Sequence, residues 1–138
     1  MAWTTPKTDW VSTDHYDYRT FNRIEGNLAV LDEQARRLFN LNDITARTAR
    51  TYTYSEYTYP SFYNKIESWL YDINRKTWNL ETFRTKKTYL ANQPVMDYAE
   101  LNRVESTIAE LKALNDIQLS ILPTLAIRMG DYERKIKV

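Results

Sequence analysis

The chain contains one histidine, His15, which stands between Asp14 and Asp17 in the sequence. A histidine beside carboxylates is the arrangement of a general base or of a metal ligand. Neither role can be completed here. There is no cysteine and no second histidine to fill a zinc site, and every serine or threonine nucleophile would depend on this one imidazole as its base. His15 is read as a surface residue near a helix start. Three glutamates, Glu25, Glu67 and Glu105, recur at equivalent places and raise the idea of a carboxylate metal site. Helical di-metal sites add a histidine three residues from such a glutamate, and that partner is missing. Each glutamate is therefore expected to cap a helix, pair with a cation or face water. The sequence thus points to no catalytic residue, no metal and no cofactor. The chain is read as a non-enzyme.

Three amides are more telling. Asn22, Asn64 and Asn102 each precede a cation, a β-branched aliphatic residue and then the glutamate, in the series Asn22-Arg23-Ile24-Glu25, Asn64-Lys65-Ile66-Glu67 and Asn102-Arg103-Val104-Glu105. An amide recurring beside a buried aliphatic predicts a structural hydrogen bond to a neighbouring loop or helix, which fixes register.

These motifs need elements to position them. The aliphatic spacing runs on through Ile24, Leu28, Leu31, then Ile66, Leu70, Ile73, then Val104, Ile108, Leu111, in steps of four and three that fall on one helical face. Three repeated helices are predicted near 17–39, 61–79 and 97–121. Asp17 and Asp97 are the expected N-caps of the first and third, Asp97 with Glu100 forming a capping box, and Ser61 is the expected cap of the second. The pairs Asp32–Arg36 and Glu33–Arg37 belong on the solvent side of the first helix. Pro123 is expected to end the third helix or to sit just past its end.

Between the helices lie extended segments. Residues 51–59 alternate aromatic and hydroxyl side chains with the period of a strand or extended arm. A short strand is allowed in 82–93, and the run 125–138 could close a small sheet. The fold class is mainly α: a small bundle of three repeated helices with extended arms and room for a short β-sheet. Residues 1–16 form an extended N-terminal arm, and 17–138 form a single helical domain. The linkers are long for a plain bundle, which points toward assembly or binding.

Composition narrows the function classes. Charge nearly cancels, at 19 basic against 18 acidic residues, so nothing favours nucleic acid or an anionic membrane. Cations interleaved with rings occur at Arg47, Arg50, Tyr52, Tyr54 and at Arg84, Lys86, Lys87, Tyr89, but no motif frames them as a strand-binding surface. No apolar run spans a bilayer and none at the N-terminus resembles a signal peptide. Eleven tyrosines and four tryptophans make an aromatic-rich chain, and rings serve interfaces as readily as cores. Trp3, Trp10, Tyr52, Tyr54 and Tyr57 are the candidate interface residues, with the arm 1–12 expected to dock on another subunit or a neighbouring protein, the alternative being that it folds back on its own bundle.

The opening Trp3-Thr4-Thr5-Pro6-Lys7-Thr8-Asp9-Trp10, with Phe21-Asn22-Arg23-Ile24-Glu25-Gly26-Asn27-Leu28 and the copy at Asp97 to Glu105, resembles small tail- and baseplate-associated structural proteins of phages and prophages of Gram-positive bacteria. The second copy departs most, with Pro60 for the expected tyrosine and Lys65 for the arginine. The resemblance implies a virion structural protein at the tail, baseplate or fibre attachment, assembled in the bacterial host cytoplasm. Its implied partners are other tail proteins and further copies of itself in a symmetric particle. The rival expectation is a receptor- or carbohydrate-binding module using exposed Tyr and Trp rings.

Overall fold

The computed structural model describes residues 3–39, 41, 44–56 and 58–136, with side chains through residue 121. Among the described residues there are three α-helices and no strand: α1 (Tyr18–Phe39), α2 (Pro60–Lys76) and α3 (Tyr98–Ile136), with a single 3-10 turn at Glu81–Phe83. The nine aliphatic residues of the repeated stripe are all buried at 1% exposure or less. They form one cluster that fills the space between the helices. Truncating any of them to alanine should cost about 2–5 kcal/mol.

Two helix starts are as expected. The Asp17 carboxylate accepts the Arg19 N–H at 3.0 Å, and Asp97 accepts the Glu100 N–H at 2.9 Å, but the capping box is not completed, because the Glu100 carboxylate pairs with Arg103 and Lys87 instead. The second differs: α2 begins at Pro60, with Tyr59 as an N-cap that makes no side-chain cap bond, so Ser61 is not the cap. The reason is steric. A residue before proline is extended, which is the N-cap conformation, and proline at the first helical position has no N–H to satisfy.

Four further expectations are overturned. Asp32 is buried, not solvent-facing; its carboxylate takes the Trp69 indole N–H at 2.8 Å and Arg36 at 2.5 Å. The third helix continues past Pro123 to Ile136. A proline forfeits one helical hydrogen bond, and the Leu, Ala, Arg, Met, Glu and Lys residues that follow it are strong helix formers. The same continuation removes the small sheet proposed for 125–138, of which 137 and 138 lie outside the described residues. The segment allowed a strand at 82–93 instead begins in the 3-10 turn and goes on as an extended arm with no strand partner.

The long linkers are three arms, 3–12, 44–56 and 84–96, each leading into the helix that follows it. The aromatic excess is spent where arms and helices meet. Tyr16 stands between Trp10, Phe21 and Tyr63, with ring centroids 6.4, 6.0 and 6.5 Å apart. Its hydroxyl donates to the Met96 carbonyl at 2.7 Å.

Candidate functional site

Each repeated asparagine grips an arm at two points. Asn22 accepts the Tyr52 N–H at 2.6 Å and donates to the Tyr52 carbonyl at 3.1 Å. Asn64 does the same to Tyr89 at 2.7 and 2.9 Å, and Asn102 to Trp10 at 2.8 and 2.9 Å. A side-chain amide has the same donor and acceptor as a peptide unit. In each case it takes the place of a neighbouring strand. The expectation of a structural bond for all three amides is met.

The repeated glutamates complete each grip. All three are fully buried. Glu25 accepts the Arg50 N–H at 3.0 Å, Glu67 the Lys87 N–H at 2.7 Å, and Glu105 the Lys7 N–H at 3.2 Å. Two of them also hold the gripped ring: the Trp10 indole donates to Glu105 at 2.6 Å, and the Tyr52 hydroxyl donates to Glu25. The Tyr89 hydroxyl, in the third grip, is buried with no hydrogen-bond partner among the described residues. Burial raises the pKa of Tyr52 above the ordinary tyrosine value, helped by its bond to Glu25, and burial likewise raises that of Tyr89.

A buried carboxylate needs a cation, and the residue after each asparagine supplies it to a neighbouring helix. Lys65 of α2 reaches Glu25 of α1 at 2.6 Å. Arg103 of α3 reaches both oxygens of Glu67 of α2, at 2.7 and 2.8 Å. Arg23 of α1 reaches both oxygens of Glu105 of α3, at 2.7 and 2.9 Å. The series closes on itself. Every arm-and-helix unit docks on the unit before it, and the first docks on the third, so the chain forms a three-membered ring.

A turn follows each gripped ring. The Asp14 N–H bonds the Val11 carbonyl at 2.9 Å, Glu56 that of Thr53 at 3.1 Å, and Gln93 that of Leu90 at 3.3 Å. Asn92, in the third, has φ 63, a left-handed conformation that asparagine tolerates.

The candidate interface residues divide. Trp10 is 6% and Tyr52 3% exposed, both inside the chain's own core. Trp3 is half-buried, packs against that core and lies under the Lys112 ammonium at 5.2 Å. The arm 3–12 therefore packs on its own α3 instead of standing free for another subunit, because Asn102 and Glu105 satisfy its backbone. Asn27 of α1 adds a second two-point grip on Thr4, at 2.9 and 2.7 Å. Tyr54 is 87% exposed, the reverse of its neighbour Tyr52. Tyr57 lies outside the described residues.

Other groups are committed elsewhere. His15 is exposed, Asp14 accepts the Val11 N–H, and Asp17 pairs with Arg19 at 2.7 Å. Arg47 pairs with Asp72, Arg50 with Glu56, and Arg84 with Glu81. Among the described residues no group of three or more His, Cys, Asp or Glu is arranged to hold a metal ion, and no helix is long and apolar enough to cross a membrane.

The asparagine clamp could be anticipated from recurrence alone. What sequence reasoning missed is its partner and the cyclic ion pairing. The available signal was the cation fixed between amide and glutamate in all three copies. A hollow of about 200 Å3 opens between the second turn and the starts of α1 and α2, lined by the rings of Tyr18, Phe21, Tyr52, Tyr54 and Phe62 together with Asp17 and Glu56. Comparison with family models, with curated proteins and with solved structures returned no match.

Proposed function

We propose that the protein is a structural component of a phage virion, seated at the tail, baseplate or fibre attachment, where it works by contacting other proteins. The observation that carries this reading is the outer part of α3. Among the residues of α3 whose side chains are described, the last buried one is Asn115, and the helix continues to Ile136. Past Asn115, Ile117 is 58% and Ile121 40% exposed. A helix that carries aliphatic side chains in water beyond its last described core residue offers a face for a protein partner.

The ring of three like units supports the same reading. It offers related surfaces three times over, as a member of a symmetric particle would. The resemblance of the arm and helix starts points the same way. The partners are other tail proteins and further copies of this chain. Neither nucleic acid nor a membrane enters the reading.

The test is incorporation into particles. A chain ending at residue 116 keeps every arm grip and should keep its melting temperature, while disappearing from purified particles in which the full chain is found by mass spectrometry. Complete, infectious particles that lack the full chain would overturn the proposal.

A further inference from the structure

The cyclic pairing fixes the direction of the three units. Each ion pair joins the second position of one helix motif to the fourth position of its neighbour's, so the three motifs stand at one level. Farther along, Asn115 bonds Gln34 and the Trp78 indole, residues at matching distances past Asn102, Asn22 and Asn64. The helices are therefore parallel, and all three turns lie at the end where the helices start.

That end is apolar. Among the described residues eight large hydrophobic side chains are exposed. Ile117 and Ile121 are on the outer part of α3, and the other six lie in the turns or beside the helix starts. The turns contribute Val11, Tyr54 and Leu90, at 52%, 87% and 62% exposure. The starts of α2 and α3 add the exposed rings of Tyr59 and Tyr98, and the start of α1 adds the half-buried ring of Tyr18. Every unit thus presents one large turn side chain and one tyrosine. None of the three turn side chains belongs to the core, so the fold does not account for their size. Apolar groups gathered on one end, with none exposed on the described flanks, mark a contact surface.

Charge and symmetry narrow what covers it. The carboxylates at this end are held by the chain's own cations: Asp17 by Arg19, Glu56 by Arg50 and Glu100 by Arg103. No strong field is left to draw a nucleic acid or an anionic membrane. A second copy set face to face would bring three helix N-termini against three more, with their dipoles opposed. An asymmetric partner has no use for three like turns. A partner with a threefold axis meets each turn with the same group, and the repetition then has a purpose.

We propose that this end of the ring docks coaxially on a homotrimeric protein, each of whose three subunits seats one apolar side chain against one turn. The proposal rests on the assembly reading and names the symmetry and chemistry of one partner.

The experiment is photo-crosslinking of the full chain in purified particles. The probe is p-benzoylphenylalanine, placed singly at positions 11, 54 and 90, with position 110 on the exposed flank of α3 as the control. All three turn positions should crosslink to the same peptide of one other protein, and position 110 should not. The double variant Tyr54→Ser, Leu90→Ser should keep its melting temperature and lose incorporation at least about tenfold, the effect of removing two apolar anchors. Three turns that reach three different peptides would overturn the proposal. So would crosslinks to a second copy of this chain, an incorporated chain with no crosslinks at all, or a double variant incorporated like the natural sequence. A chain absent from the particles altogether would overturn the assembly reading and the trimeric partner with it, whereas an incorporated chain with the wrong crosslinks overturns the partner alone.

Discussion

An asparagine that bonds both the N–H and the carbonyl of one residue does the work of a strand neighbour with a single side chain. Asn64→Ala removes two such bonds from Tyr89 and leaves both backbone groups unpaired. The expected cost is about 2–3 kcal/mol, read from chemical denaturation; a change below about 0.5 kcal/mol would mean that water replaces the amide at no loss. The rings sort by their partners. Tyr52→Phe deletes a hydroxyl bonded to buried Glu25 and should destabilise by about 1–3 kcal/mol, whereas Tyr89→Phe deletes a buried hydroxyl without a partner and should be neutral or stabilising. The denaturation midpoint should fall for the first variant and hold or rise for the second. The amides were legible as a recurrence. Their targets were not, since Trp10, Tyr52 and Tyr89 share only an aromatic ring and lie 92, 30 and 25 residues from their asparagines.

Helices and arms were legible to different degrees. The 3.6-residue periodicity of Ile24, Leu28, Leu31 and its two copies located the helices and their buried face, because an amphipathic helix carries its core contacts in its own pattern. The extended character of 51–59 was readable from its alternation, but alternation cannot say what satisfies the backbone, and here it is a side chain on a helix. The end of α3 is not legible at Pro123, because the helix formers beyond it outweigh the one helical bond that the proline forfeits. For the first arm, two rings without local structure suggested docking in trans. The grips by Asn102, Glu105 and Asn27 keep the arm in cis. Deleting residues 1–12 should therefore lower the melting temperature sharply and expose α3, and a synthetic peptide of residues 1–16 should restore it. A truncated chain with unchanged helicity and melting temperature would show that the arm is dispensable.

Across the whole molecule, the three ion pairs form a cycle, so breaking any one opens the ring. Arg23→Met strands Glu105, which is fully buried, and should cost about 3–5 kcal/mol. Glu105→Gln in the same chain should recover part of it, because the amide no longer needs a counter-charge. High pH should open the ring as well. The pKa values of Tyr16, Tyr52 and Tyr89 are raised, in each case chiefly by burial. Their hydroxyls stay protonated in the fold at a pH where the unfolded chain has begun to lose protons. Such groups contribute full stability below about pH 10, the ordinary tyrosine value, and that contribution is lost as pH rises through the raised values. Thermal melts between pH 8 and pH 11 should show a flat region followed by a steep fall, and the triple variant with phenylalanine at these positions should fall less steeply.

The closing grip has a consequence for the ribosome. The second arm meets a helix already synthesised, and so does the third, at separations of 30 and 25 residues. The first arm is translated before the helix that receives it and waits for a partner 92 to 98 residues downstream. Contacts so distant in sequence form late. Until α3 emerges, Trp10 has no glutamate to bond, Trp3 no Lys112 above it and the Trp78 indole no Asn115 to donate to, so the nascent chain carries unhoused indoles. Their fluorescence is thus a clock: the burial of Trp10 marks the moment at which translation has delivered a complete ring, and a stalled chain would be recognisable by tryptophans left in water.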